Sequence, residues 1–304
     1  MVPSELSLLG VALFGSLAYG GGDFIGGRAT LRLSPVGVIA LAQIAALMLA
    51  ATAVPWSGWS LLTGPTARVL IGNALVPGLS GGLFYAVALA ALYRGIAEGR
   101  AALVTPVFAI VSVLVPLAAD AVLGRALSQT QIGGLLLCGV AVVLLAQVRD
   151  ATTGHGPHFS FRLGVIGGMA DGIADVCLGA QPLTQALDAL MIARATMAAL
   201  AVGVLICAAL RVRPQVAAGR RVSPVALLVA ASLAIGAGLC DAMGHYSYVL
   251  LATQGSISVA SALVGVLSAA VVVLLAVALL RERLAAPQLA GFVAGAAGIF
   301  ALSG

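Results

Sequence analysis

Long apolar runs alternate along the chain with short polar breaks. At about 20 residues per bilayer crossing, the runs predict five helical spans in the first half, at 6–27, 35–55, 67–92, 101–121 and 129–148. Five more follow at 162–182, 187–210, 223–250, 257–280 and 287–303. Pro3, Pro35, Pro224 and Pro287 fall near span starts, where a missing N–H does little harm. Trp56 and Trp59 follow the second span, as an interfacial aromatic anchor would. The most polar break, RDATTGHGPHFSFR at 149–162, divides the pattern in two.

The two parts repeat each other. AYGGGDF at 18–24 returns as ADGIADV at 170–176, so Ala18, Gly20 and Asp23 stand 152 positions before Ala170, Gly172 and Asp175. Further on, LGRALSQTQIGG at 123–134 matches LRERLAAPQLAG at 280–291, with Leu123/Leu280, Leu127/Leu284, Gln131/Gln288 and Gly134/Gly291 identical at an offset of 157. The shift between the two offsets implies an insertion of five residues between the anchors. Five spans per repeat, an odd number, turn the second copy upside down in the membrane. The expected fold is therefore an all-α integral membrane protein of ten transmembrane helices in two inverted five-helix repeats. The first repeat covers 1–148, a polar loop 149–161 connects the two, and the second covers 162–304.

Composition closes off the soluble alternatives. Of 304 residues 62% are hydrophobic and 8% charged, with a mean hydropathy of +1.15; a soluble domain carries about 25% charged residues. The net charge of +5 comes from 15 arginines and no lysine. These sit at span ends, a membrane-orientation pattern that does not suggest nucleic acid. Loops after the odd spans hold twelve arginines and those after the even spans hold two, Arg68 and Arg125. Positive loops stay in the cytoplasm, so the chain is expected in the inner (plasma) membrane with both termini extracytoplasmic. Cys138, Cys177, Cys207 and Cys240 lie in apolar runs without metal or redox spacing. His155 and His158 read as part of a solvated loop, and no metal site or cofactor is expected.

The candidate chemistry is the polar minority inside the spans. An ionised carboxylate at bilayer centre costs roughly 2.5–3.5 kcal/mol on insertion scales, so such residues point to an interior site. Tyr19 and Asp23 share a face of span 1, and Asp171 and Asp175 share a face of span 6. Asp241, His245 and Tyr248 follow one face of span 8 and should face a water-accessible cavity. Span 3 offers Tyr85, with glycines 81 and 82 where span 8 has its charge. Arg194 is the one arginine well inside a span, with Gln43 as its rough counterpart. It either neutralises Asp171 or Asp175, binds a substrate carboxylate, or snorkels outward. His245 beside Asp241 is a candidate proton site.

The ten spans, the GGGDFIGG segment (20–27) and the LRERLAAPQLAG turn (280–291) together resemble an EamA-type member of the drug/metabolite transporter superfamily. The turn matches that family's pattern at Leu280, Glu282, Arg283, Leu284, Gln288 and Gly291, whereas the first copy has Arg125 where the glutamate belongs. The resemblance implies alternating-access transport, often export, of small organic metabolites, and names no ligand residues. Together these readings give a secondary transporter exporting a small polar, amino-acid-like metabolite, with proton coupling through span 8. Its partners are a small-molecule substrate and the lipid bilayer; a homodimer is left open. The competing class is a membrane-embedded enzyme acting on a lipid-linked substrate.

Overall fold

The structure is a computed structural model that describes residues 5–57, 67–97, 101–125, 127–145, 157–211, 223–280 and 286–303. Among these residues all regular structure is helical. The helices of the first half are α1 (Glu5–Ala29), α2 (Pro35–Ser57), α3 (Ala67–Ala97), α4 (Ala101–Val122) and α5 (Gln129–Leu145). Those of the second are α6 (Pro157–Gly179), α7 (Leu183–Arg211), α8 (Pro224–Ala252), α9 (Ile257–Leu280) and α10 (Ala286–Ser303). Five helices, α1, α2, α3, α7 and α8, carry stretches long and apolar enough to cross a membrane. Shorter apolar stretches occupy Val107–Val122 and Ile257–Val272.

Local chemistry sets several helix starts. Pro35, Pro157 and Pro224 are each a first helical residue, where proline's fixed φ suits the helix. The Ser223 side chain accepts the Ala226 N–H at 3.2 Å. Ser128 and Gln131 form a reciprocal capping box at α5: Ser128 Oγ accepts the Gln131 N–H at 3.1 Å, and Gln131 Oε1 accepts the Ser128 N–H at 3.0 Å. The repeated glutamine at 131 thus has a structural cause in the first half. Pro157 starts α6 inside the stretch expected as the 149–161 loop, so Phe159 is helical and stacks under the Arg94 guanidinium at 5.3 Å. His155 lies outside the described residues.

Helices of one half pack mainly on helices of the other. Helix α1 lies against α8 and α9, and α6 lies against α3 and α4. Helix α2 packs on α7 and α8, and α7 on α2 and α3, while α4 meets α9 and α5 meets α10. Small residues set these crossings. A β-carbon at Gly20 would strike the Ser268 carbonyl and Val271 of α9; one at Gly172 would strike the Ser112 carbonyl and Val115 of α4. Likewise Gly82 lies on the Ala193 carbonyl and Gly238 on that of Ala42. Each contact in one half recurs between the corresponding residues of the other.

The polarity of the bundle is reversed relative to a soluble protein. Its rim presents apolar side chains such as Leu17, 61% exposed, and Leu136 and Val293, both 68% exposed. Gln43, Asp120, Asp175, Arg194, Asp241 and His245 are buried. An apolar rim around an apolar core, with the few charged groups of the spans kept inside, is what a lipid surround selects.

Candidate functional site

Two hydrogen-bonded networks meet at the centre of the bundle. The first is built on Arg194, 1% exposed, which reaches from α7 to α8. Its Nη1 makes a short ion pair with Asp241 Oδ2 and donates to Gln43 Oε1 at 2.8 Å. Its Nη2 donates to the Asp241 carbonyl at 3.1 Å. Gln43 Nε2 donates to the same Asp241 oxygen at 3.1 Å, so the amide serves both ions at once. Leaving either ion alone here would cost several kcal/mol.

His245 completes this network. Its Nδ1 lies 2.6 Å from Arg194 Nη2, 3.0 Å from the Asp241 carbonyl and 3.2 Å from Asp241 Oδ1. Arginine can only donate, so Nδ1 accepts from it in the neutral ring and the proton sits on Nε2. A protonated ring would donate to Asp241 instead and set its N–H against the guanidinium. The proton therefore decides which partner His245 engages. The ring is buried against Tyr19 and Tyr85, with centroids 4.8 and 4.1 Å away, and its Nε2 has no hydrogen-bond partner among the described residues.

The second network centres on Asp175. Its Oδ1 accepts the Tyr85 hydroxyl at 2.9 Å and its Oδ2 the Ser261 hydroxyl at 2.6 Å. Its backbone carbonyl accepts the Tyr248 hydroxyl at 2.9 Å, and the Tyr19 and Tyr85 hydroxyls lie 3.4 Å apart. Five helices, α1, α3, α6, α8 and α9, are thereby joined around one carboxylate.

Between the networks lies a cavity of about 70 Å³, room for a few waters. Of the residues singled out by sequence, Tyr19, Asp23, Tyr85, Asp171, Asp175, Asp241 and Tyr248 line it. Gln43, Arg194 and His245 are not among the lining residues and stand around Asp241 instead. Two expectations are corrected. Arg194 neutralises Asp241 rather than Asp171 or Asp175, because α7 packs on α2 and α3 and its side chain is enclosed with Gln43. The face of α8 is not uniformly cavity-lining, because the Tyr19 and Tyr85 rings cover His245.

Most of the lining pairs across the halves at a fixed offset. On α4, Thr105, Phe108, Ala109 and Ser112 stand 156 positions before Ser261, Val264, Gly265 and Ser268 of α9, and all eight line the cavity. The same offset relates Tyr85 to Asp241 and Leu92 to Tyr248. Tyr85, rather than Gly81 or Gly82, therefore stands opposite the charge of α8. Gly82 corresponds to Gly238 at the helix crossings.

Sequence reasoning missed Asp120, which is 1% exposed at the end of α4. Its Oδ2 accepts the Ser258 N–H at 2.7 Å and the Ser256 hydroxyl at 2.6 Å, while Oδ1 accepts the Ile257 N–H at 3.3 Å. It caps α9 from another helix, with Arg125 at 3.6 Å. Its burial between a span end and a turn gave no periodic signal.

No family model matches the chain, and no curated protein matches it. Fifteen chains of solved structure do match. One, described only as "Crystal structure of protein", aligns with a TM-score of 0.67 over 96% of this chain and 96% of its own at 16% identity. At that identity the likeness is one of fold alone.

Proposed function

We propose that the chain is a multi-pass secondary active transporter of the plasma membrane that exports a small polar organic metabolite by alternating access. The observation that carries this reading is the central cavity, whose walls come from helices of both halves and most of whose lining residues pair at a fixed offset. That relation supports ten spans in two inverted five-helix repeats, as in the EamA-type family the sequence resembles. An inverted repeat supplies two related conformations, one open to each face. A cavity of about 70 Å³ is far below the roughly 300–1,000 Å³ of ordinary ligand pockets, so loading requires the helices to separate. The arginine count puts the Asp120 tie between α4 and α9 at the outer face, where it must part for release.

Proton coupling runs through the Asp241–His245 pair. The groups facing His245 are Arg194 from α7, Asp241 from its own helix, Tyr19 from α1 and Tyr85 from α3. Protonation turns His245 from an acceptor of Arg194 into a donor to Asp241, which loosens the link between α7 and α8. Proteoliposomes loaded with a cytosolic small-molecule extract test both parts. The expected result is protein-dependent loss of an extract compound, unchanged in mass and accelerated by an imposed proton gradient, with His245→Gln flattening that pH dependence. Flux indifferent to the gradient would exclude the coupling. Conversion to a new compound would favour the enzyme reading, and no loss at all would exclude transport.

A further inference from the structure

Resting on that transport reading, we infer that the substrate group held in the cavity is an organic ammonium, bound by the carboxylates of Asp23 and Asp171. Four carboxylates line the cavity, and no arginine or histidine is among the lining residues. Asp241 is neutralised by Arg194, and Asp175 is satisfied by two hydroxyl donors. Asp23 and Asp171 have neither a hydrogen bond nor an ion pair with any described residue. When ionised, each accepts only, and is costly in an apolar interior until a donor reaches it. An ammonium brings several N–H donors and the missing charge together.

The rest of the wall suits the same ligand. The Tyr19, Tyr85 and Phe108 rings border the cavity and can take the apolar or cationic faces of an alkylammonium. The Thr105 hydroxyl on the wall is buried without a hydrogen-bond partner among the described residues, a polar contact that a bound molecule can complete. Arg194, which could otherwise receive a substrate carboxylate, is already held by Asp241, Gln43 and His245. Among the described residues no three His, Cys, Asp or Glu side chains are placed to hold a metal ion. An anion would meet four carboxylates and no cationic side chain on the lining, and a neutral polyol would bring hydroxyl donors without the charge that an ammonium supplies.

The test uses the full-length protein in proteoliposomes loaded with a defined equimolar mixture of ethanolammonium, tetramethylammonium, alanine, lactate and glucose, with efflux read by mass spectrometry. Ethanolammonium should leave fastest, with alanine behind it and lactate and glucose at the protein-free rate. Asp171→Asn and Asp23→Asn should each slow ethanolammonium by about tenfold or more, the scale of one charge-assisted hydrogen bond. Asp171→Glu, which keeps the charge, should restore part of the rate and shows that the loss is not misfolding. Alanine, lactate or glucose moving as fast as ethanolammonium would overturn the inference and leave the transport reading standing. No protein-dependent movement of any component would overturn both.

Discussion

Positions of the two halves related by a fixed sequence offset carry different chemistry. In the first half, α2 offers Gln43, and α3 offers Tyr85 and Leu89; their counterparts in the second are Arg194, Asp241 and His245. The crossings hardly differ, since Gly20 and Gly172, and Gly82 and Gly238, make matching close approaches. Packing at a helix crossing tolerates little added volume, whereas the polar positions differ in charge between the halves. They diverge together. A buried charge is tolerable only with its partner, so one half carries both Arg194 and Asp241 and the other carries neither. The uncharged counterparts are not idle, because Gln43 braces the ion pair and Tyr85 braces Asp175.

The sharpest way to break this comparison is to remove one ion. Arg194→Gln should destabilise the folded protein by about 3–5 kcal/mol, because Asp241 is left buried and uncompensated. Adding Asp241→Asn should return most of that loss. Tyr85→Phe, at the neutral counterpart of Asp241, should cost only about 1 kcal/mol. Thermal unfolding of the purified protein in detergent measures all three. An Arg194→Gln protein as stable as the double variant would mean that the pair does not hold the second half together.

A smaller effect separates the two repeated aspartates. Asp175→Asn should reduce flux more than Asp23→Asn, since Asp175 joins Tyr85 and Ser261 across three helices. Asp23 supplies only its charge to the cavity. Near-normal flux in both variants would return the repeated motif to a packing role.

Much of this organisation was legible in the sequence. Helical spacing gave the cavity-lining faces of α1 and α6, and the gapless pairing of Asp23 with Asp175 picked out two carboxylates that both line the cavity. The five-residue shift was legible, but not its location. Gln43 and Arg194 are offset by 151 and Tyr85 and Asp241 by 156, so the second half carries the five extra residues, between Arg194 and Asp241. Spacing along a helix says which residues share a face and not which helix that face meets. Hence the partner of Arg194 was misassigned, the tyrosine cover over His245 was unforeseen, and Asp120, Ser261 and Thr105 gave no signal as single polar residues.

Alternating access makes its most direct claim about the tie between α4 and α9. Spin labels on cysteines at Leu123 and Gln254, in a chain cleared of its four native cysteines, bracket the Asp120 cap. Double electron–electron resonance in proteoliposomes should give two distances, the shorter with the cap closed, whose populations shift between acid and alkaline pH. One unchanging distance under every condition, from a protein that retains its fold, would contradict a transporter that opens by parting these helices.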